Sequence, residues 1–199
     1  DLVPIVISDE WIAKVKANQP ELRTEKLERY QREFDLPKYD AEIITGHKKF
    51  ADLFEAATEL CGKPKKVSNW IMVETMRLLK ENNMDPEDIR FSPVNLAKLI
   101  NLADSGSITN TVAKEVFERI FKDDIDPEKY VEEKGLKTVN DEGALRETVQ
   151  KVLADNPQSV EDYHNGKEKA IGFLVGQTMK AMKGKANPAL VNQILKELL

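Results

Sequence analysis

The sequence has 199 residues but only one cysteine, two histidines and an aromatic content of 7%. A lone Cys61 excludes an internal disulfide and fits a reducing compartment, so a cytoplasmic protein is expected. No nucleophile signature surrounds Cys61, which reads as a small buried hydrophobe. Neither His47 nor His164 has a second histidine or a cysteine nearby in sequence, so no metal-ligand spacing exists and both read as surface or helix-end residues. The acidic runs Asp123–Asp126 and Glu161–Asp162 lack the alternating spacing of a calcium loop and read as solvated loops. There is no G-x-G-x-x-G and no G-x-x-x-x-G-K-[ST], hence no glycine-rich loop for nucleotide phosphates. No apolar run approaches the roughly 20 residues that a membrane span needs. The opening Asp1-Leu2-Val3-Pro4-Ile5-Val6-Ile7 has no charged stretch before its apolar one, which excludes a secretory leader there. It also begins without methionine, so the chain reads as part of a longer polypeptide. These absences predict no catalytic residue and no metal site.

What is present is a globular composition, 41% hydrophobic and 33% charged, with enough length for a real core in one or two domains. A net charge of −5 argues against nucleic-acid binding by the chain as a whole. The distribution of charge reverses that reading locally. Residues 139–165 hold two basic against six acidic side chains, whereas 166–196 hold six lysines against one glutamate. Phosphate contact requires only such a local face.

The pattern is helical nearly throughout, so the fold class expected is all-α. Ser8-Asp9-Glu10 is an N-cap followed by acids in the first turn, opening a helix that ends near Asn18. A second helix is predicted from about Pro20 to Glu33, with Leu22, Leu27 and Tyr30 on one face. Asp40 is placed as the cap of a short element through Ile44, broken at Gly46. His47 to Leu60 follows, burying Phe50, Leu53, Phe54 and Ala57. A long central helix then carries Val67, Trp70, Ile71, Val73, Met76, Leu78 and Leu79, with Trp70 as a buried anchor. Ser92-Pro93 pairs a cap with proline in the first turn, leading Leu96, Leu99, Ile100 and Ala103. Ile108 to Phe121 returns through Val112, Val116, Phe117 and Ile120. A short helix runs to Lys134 and stops at Gly135. We expect a helical-bundle domain over 1–137, with a linker at about 123–140. A smaller tail domain over 138–199 is expected to hold helices at 141–154, 160–164, 167–183 and 188–198.

The tail helix carries the most information. At about 100° per residue, Ile171, Leu174, Val175, Thr178 and Met182 form one apolar stripe. Lys169, Phe173, Gly176, Lys180 and Lys183 lie on the opposite face. A glycine inside a helix costs about 1 kcal/mol relative to alanine, so glycines among lysines need a reason. Two remain open: close helix–helix packing, or close approach of a bulky anion such as RNA phosphate. The loop Lys183-Gly184-Lys185-Ala186-Asn187-Pro188 adds two lysines and a helix N-terminus, which suits a phosphate and equally an ordinary turn. Lys63, Lys65 and Lys66 form a second basic group that could reach RNA or simply end a helix.

These runs resemble a known family. Gly166-Lys167, Gly172-Phe173-Leu174-Val175-Gly176-Gln177, Met179-Lys180 and Lys183-Gly184-Lys185-Ala186-Asn187-Pro188 resemble the tail of the GatB family of tRNA-dependent amidotransferases, a region shared with YqeY-like proteins. Tyr39-Asp40-Ala41, Lys66-Val67-Ser68-Asn69-Trp70-Ile71, Ser92-Pro93, Leu96-Ala97-Lys98-Leu99-Ile100 and Gly106-Ser107-Ile108-Thr109 resemble that family's helical domain. The resemblance implies a carbon–nitrogen ligase that converts Glu-tRNA(Gln) to Gln-tRNA(Gln) and Asp-tRNA(Asn) to Asn-tRNA(Asn). It implies ATP and Mg²⁺ acting in a cradle domain that this chain lacks, with no cofactor in the chain itself. It also implies A (glutaminase) and C subunits as partners, with neither DNA nor membrane. The expected role here is tRNA binding by a YqeY-like tail of three to four helices, through Lys167, Lys169, Gly172, Gly176, Lys180, Lys183 and Lys185. The alternative is a protein-interaction module docking another subunit.

Overall fold

The computed structural model describes residues 7–199 and is all-α. Residues 1–6, most of the segment read above for a leader, lie outside the described residues. The first helix, α1 (Asp9–Ala17), starts where its cap predicts: Ser8 Oγ accepts the Trp11 N–H at 3.1 Å. Helix α2 (Arg23–Phe34) starts three residues later than the pattern suggested. The Glu25 carboxylate accepts the Leu22 N–H at 2.9 Å, so Leu22 sits outside the helix and stays exposed while Tyr30 is fully buried. Helix α3 (Lys38–Gly46) begins after Pro37, which places Asp40 inside the first turn rather than at the cap. Helix α4 (Lys48–Cys61) buries all four of its predicted core residues, and Gly62 ends it in the left-handed region at φ 66°.

The central helix is present but not uniform. It comprises α5 (Pro64–Asn69), a π-helical segment (Trp70–Thr75) and α6 (Met76–Glu81). A π turn leaves carbonyls displaced from the ordinary i→i−4 ladder. Thr75 Oγ1 meets one of them, donating to the Trp70 carbonyl five residues back at 3.1 Å. The rotation carries Val73 into solvent and leaves Trp70 half-buried against Phe117 at 5.1 Å. It also buries Glu74, whose carboxylate accepts from Lys114 Nζ at 2.8 Å and from Arg77 at 3.2 Å.

Helices α7 (Pro93–Asp104) and α8 (Asn110–Asp123) complete the first core, with Ser92 and Thr109 as their caps. Leu96, Leu99, Ile100, Val112, Val116, Phe117 and Ile120 join Tyr30, Phe50, Phe54 and Ile71 in one cluster. The stretch read as a linker is packed onto it. Asp124 accepts from the Ser92 N–H at 2.8 Å and from the Asn95 amide at 2.9 Å. Asp126 caps α9 (Pro127–Glu133) and accepts from Lys98 Nζ at 2.7 Å, so Asp124 and Asp126 are structural, while Asp123 is exposed as a solvated residue. Val131 of α9 is buried in the same core.

A second core is built from α10 (Glu142–Asp155), α12 (Lys169–Ala181) and α13 (Pro188–Leu198), while α11 (Pro157–His164) has no buried residue. Leu145, Val149, Leu174, Val191, Ile194 and Leu195 are its fully buried centre. The two cores meet through hydrogen bonds more than through apolar surface. Thr109 Oγ1 donates to the Gly184 carbonyl at 2.6 Å, and the Thr138 N–H donates to the Ser107 carbonyl at 2.9 Å. Val139 and Ala186 form an isolated parallel bridge.

Candidate nucleic-acid interface

Helix α12 lies with its apolar stripe inward, as its periodicity requires. Leu174 and Thr178 are fully buried, and Ile171, Val175, Met179 and Met182 pack around them. The Thr178 hydroxyl donates to the Leu174 carbonyl at 2.9 Å, satisfying a polar group that the core would otherwise strand. Lys169, Gly172, Phe173, Gly176 and Lys180 all face outward. A Cβ placed at Gly172 or Gly176 meets no heavy atom within 4 Å. Packing among the described residues therefore gives no reason for glycine at either position.

The helix ends two residues short of the predicted Lys183. The Gly184 N–H donates to the Met179 carbonyl at 2.8 Å and the Lys183 N–H to the Lys180 carbonyl at 3.0 Å. This pair of bonds is a Schellman closure, which needs a left-handed residue just past the cap. Lys183 takes that conformation at φ 52°, followed by Gly184 at φ 72°. Lys183 thus projects from a turn rather than from the helix, but it remains exposed beside Lys180.

Two predicted lysines are engaged elsewhere. Lys167 Nζ donates to Asp162 at 2.8 Å, and that contact holds the Asp162 carboxyl below the usual carboxylate range. Lys185 is half-buried, with Nζ donating to the Gly135 carbonyl at 3.3 Å across the junction of the two cores. The N-terminus of α13, read above as suiting either a phosphate or an ordinary turn, is filled by its own cap. Asn187 Oδ1 accepts from the Ala189 N–H at 3.0 Å and the Leu190 N–H at 3.4 Å, while its amide donates to Asn140 at 2.9 Å. Asn187-Pro188 is an N-cap followed by a first-turn proline, so this use was legible in the sequence.

Among the described residues, no ion pair engages Lys169, Lys180 or Lys183. The other basic group is engaged in ion pairs: Lys63 and Lys66 share Asp104 at 2.8 and 3.2 Å, and Lys65 pairs with Asp35. What remains on α12 and its closing turn is a surface of three unpaired lysines, two bare glycines and a half-exposed Phe173. The helix itself contains no acidic residue.

One charged feature escaped the sequence reading. Glu74, Arg77 and Lys114 converge beside a groove of about 630 Å³ lined by Lys66, Trp70 and Asp104. Glu74 and Lys114 are forty residues apart, and only the π segment turns the glutamate toward α8. Burial pushes the Glu74 carboxyl up, but the bonds from Lys114 and Arg77 outweigh it and hold the group below its ordinary value. The histidines are apart from one another: His47 stacks edge-on against Phe50, and His164 Nε2 lies 2.6 Å from the main-chain oxygen of Leu199.

A family model described as "GatB domain" matches residues 52–199. Across all 199 residues the chain is 71% identical to a protein of Agathobacter rectalis, named as the B subunit of aspartyl/glutamyl-tRNA(Asn/Gln) amidotransferase. It is 59% identical to the protein of that name from Lachnoclostridium phytofermentans and 47% to that from Thermodesulfovibrio yellowstonii. In each case the whole chain is covered, but it spans only 42% of the relative's length.

Proposed function

This chain belongs to the GatB domain family, and from that membership we propose that it is the part of an amidotransferase that holds tRNA for a distant reaction centre. The single observation supporting this most directly is the outward face of α12. Among the described residues, its glycines have no packing partner and its lysines no acidic one. A tRNA body offers what such a face would take: phosphates, 2′-hydroxyls and shape rather than base-pair edges. Bare backbone at Gly172 and Gly176 lets a sugar or phosphate approach more closely than any Cβ would allow. We take the two hydrophobic cores as a helical domain and a tail domain.

The amidation of Glu-tRNA(Gln) and Asp-tRNA(Asn) is assigned to the complete polypeptide with its A and C partners. Among the described residues, no three His, Cys, Asp or Glu side chains converge to hold a metal ion, and the sequence has no phosphate loop. We propose no ATP or Mg²⁺ site for this chain. We place both in the part of the relatives that this chain does not span.

Three uncompensated lysines predict a tRNA association constant that falls with salt at a log–log slope of about −2 to −3. The variant Lys180→Glu with Lys183→Glu is expected to lose most of that binding and keep its thermal stability, because both side chains are exposed. Truncation after Lys137 should remove the binding altogether. Wild-type affinity in the double variant would sink the lysine-face reading and favour docking of another protein instead.

A further inference from the structure

We propose that Phe173 is a stacking platform for an unpaired nucleobase, so that the tail selects RNA with an extruded or looped base over plain duplex. This inference rests on the RNA reading above and specifies what the same surface recognises.

Phe173 is 48% exposed, whereas Leu174 beside it is fully buried. The ring belongs to neither hydrophobic cluster. No aromatic partner for it occurs among the described residues. Gly176 lies one turn further along, at the i+3 position, where side chains are neighbours on a helix surface. Nothing projects there, and Gly172 precedes the ring with the same open space. No side chain therefore projects beside the ring from Gly172 or Gly176.

Charge selects the occupant. Lys169 lies one turn before Phe173 and Lys180 two turns after it, about 16 Å apart along the axis at 1.5 Å per residue. A strand laid along α12 would meet a cation on either side of the aromatic ring, with no carboxylate between them. An apolar protein surface would have to desolvate those lysines without pairing them, which is costly. A single-stranded segment pairs its phosphates with the lysines and offers the π face of a base to the ring. A fully paired duplex keeps its bases stacked inside and leaves Phe173 uncovered.

The test compares two probes of equal phosphate number: an RNA hairpin with a loop of unpaired uridines and a fully paired RNA duplex. Each is titrated against the 199-residue chain, Phe173→Ala, Phe173→Trp and the Lys180→Glu, Lys183→Glu variant. The wild type should prefer the hairpin, and Phe173→Ala should weaken hairpin binding about 5- to 150-fold while leaving duplex binding unchanged. Phe173→Trp should retain the preference, with its indole fluorescence quenched by the hairpin. A hairpin preference that survives in Phe173→Ala overturns the stacking role but leaves the lysine-dependent RNA reading intact. Equal loss on both probes also overturns it. Failure of the wild type to bind either probe removes both readings.

Discussion

At the residue scale, the buried Glu74 shows how a charge is kept inside a helical core. Its side chain is 6% exposed, and two cations from different positions, Arg77 and Lys114, supply its hydrogen bonds. Removing one donor strands part of a buried carboxylate, so Lys114→Ala should cost about 1–3 kcal/mol in chemical denaturation at neutral pH. The sign of its pH dependence follows from the lowered pKa. A carboxyl held below its unfolded value of 4.5 contributes stability above that pH and loses it as pH falls through the folded value. The gap between wild type and Lys114→Ala should therefore narrow below about pH 4.5. A constant gap down to strongly acidic pH would mean that Lys114 matters through packing instead.

At the scale of the element, α12 carries two demands that pull in opposite directions. Gly172 and Gly176 sit in a helix interior with open space around them, where alanine is favoured by about 0.5–1 kcal/mol per site. Gly172→Ala with Gly176→Ala should therefore raise the melting temperature of the tail. If RNA approaches the backbone there, the same variant should bind tRNA more weakly. A more stable protein with unchanged tRNA affinity would mean that these glycines serve no ligand. The apolar stripe of this helix was readable from periodicity, because its inward positions recur with the helical turn. Its end was not: the closure at Lys183 depends on a left-handed lysine, a type of residue that rarely occupies that conformation.

At the scale of the whole molecule, the two cores are joined by a small set of hydrogen bonds centred on Gly184. This residue is buried, has φ 72°, and a Cβ there would lie 3.1 Å from Thr111 Cγ2. Its carbonyl is taken by Thr109, which also caps α8 with its hydroxyl at 3.3 Å from the Val112 N–H. Gly184→Ala combines backbone strain with a clash and should cost about 1–2 kcal/mol. The expected signature is faster proteolysis of the 134–141 segment, with helix content by circular dichroism unchanged. Unchanged proteolysis would mean that the junction is held by its other bonds. Lys183 faces outward one residue before this contact, so the candidate RNA surface and the junction share a single turn.

The sequence by itself determined the all-α class, most helix positions, and which side of most core helices is buried. These features are local: a 3.6-residue period and the caps at Ser8 and Ser92 act through neighbours within one or two turns. It also marked the tail helix as the place where glycine and lysine needed a reason. Only the tertiary structure decided which cations stay uncompensated. Lys63 and Lys66 meet Asp104, Lys185 reaches Gly135, and Glu74 meets Lys114 only once the chain is folded. Each such pair joins residues far apart in the chain, whereas helical periodicity orders residues only within a few turns. Lys169, Lys180 and Lys183 are set apart from Lys167 and Lys185 because, among the described residues, their ammonium groups make neither an ion pair nor a hydrogen bond.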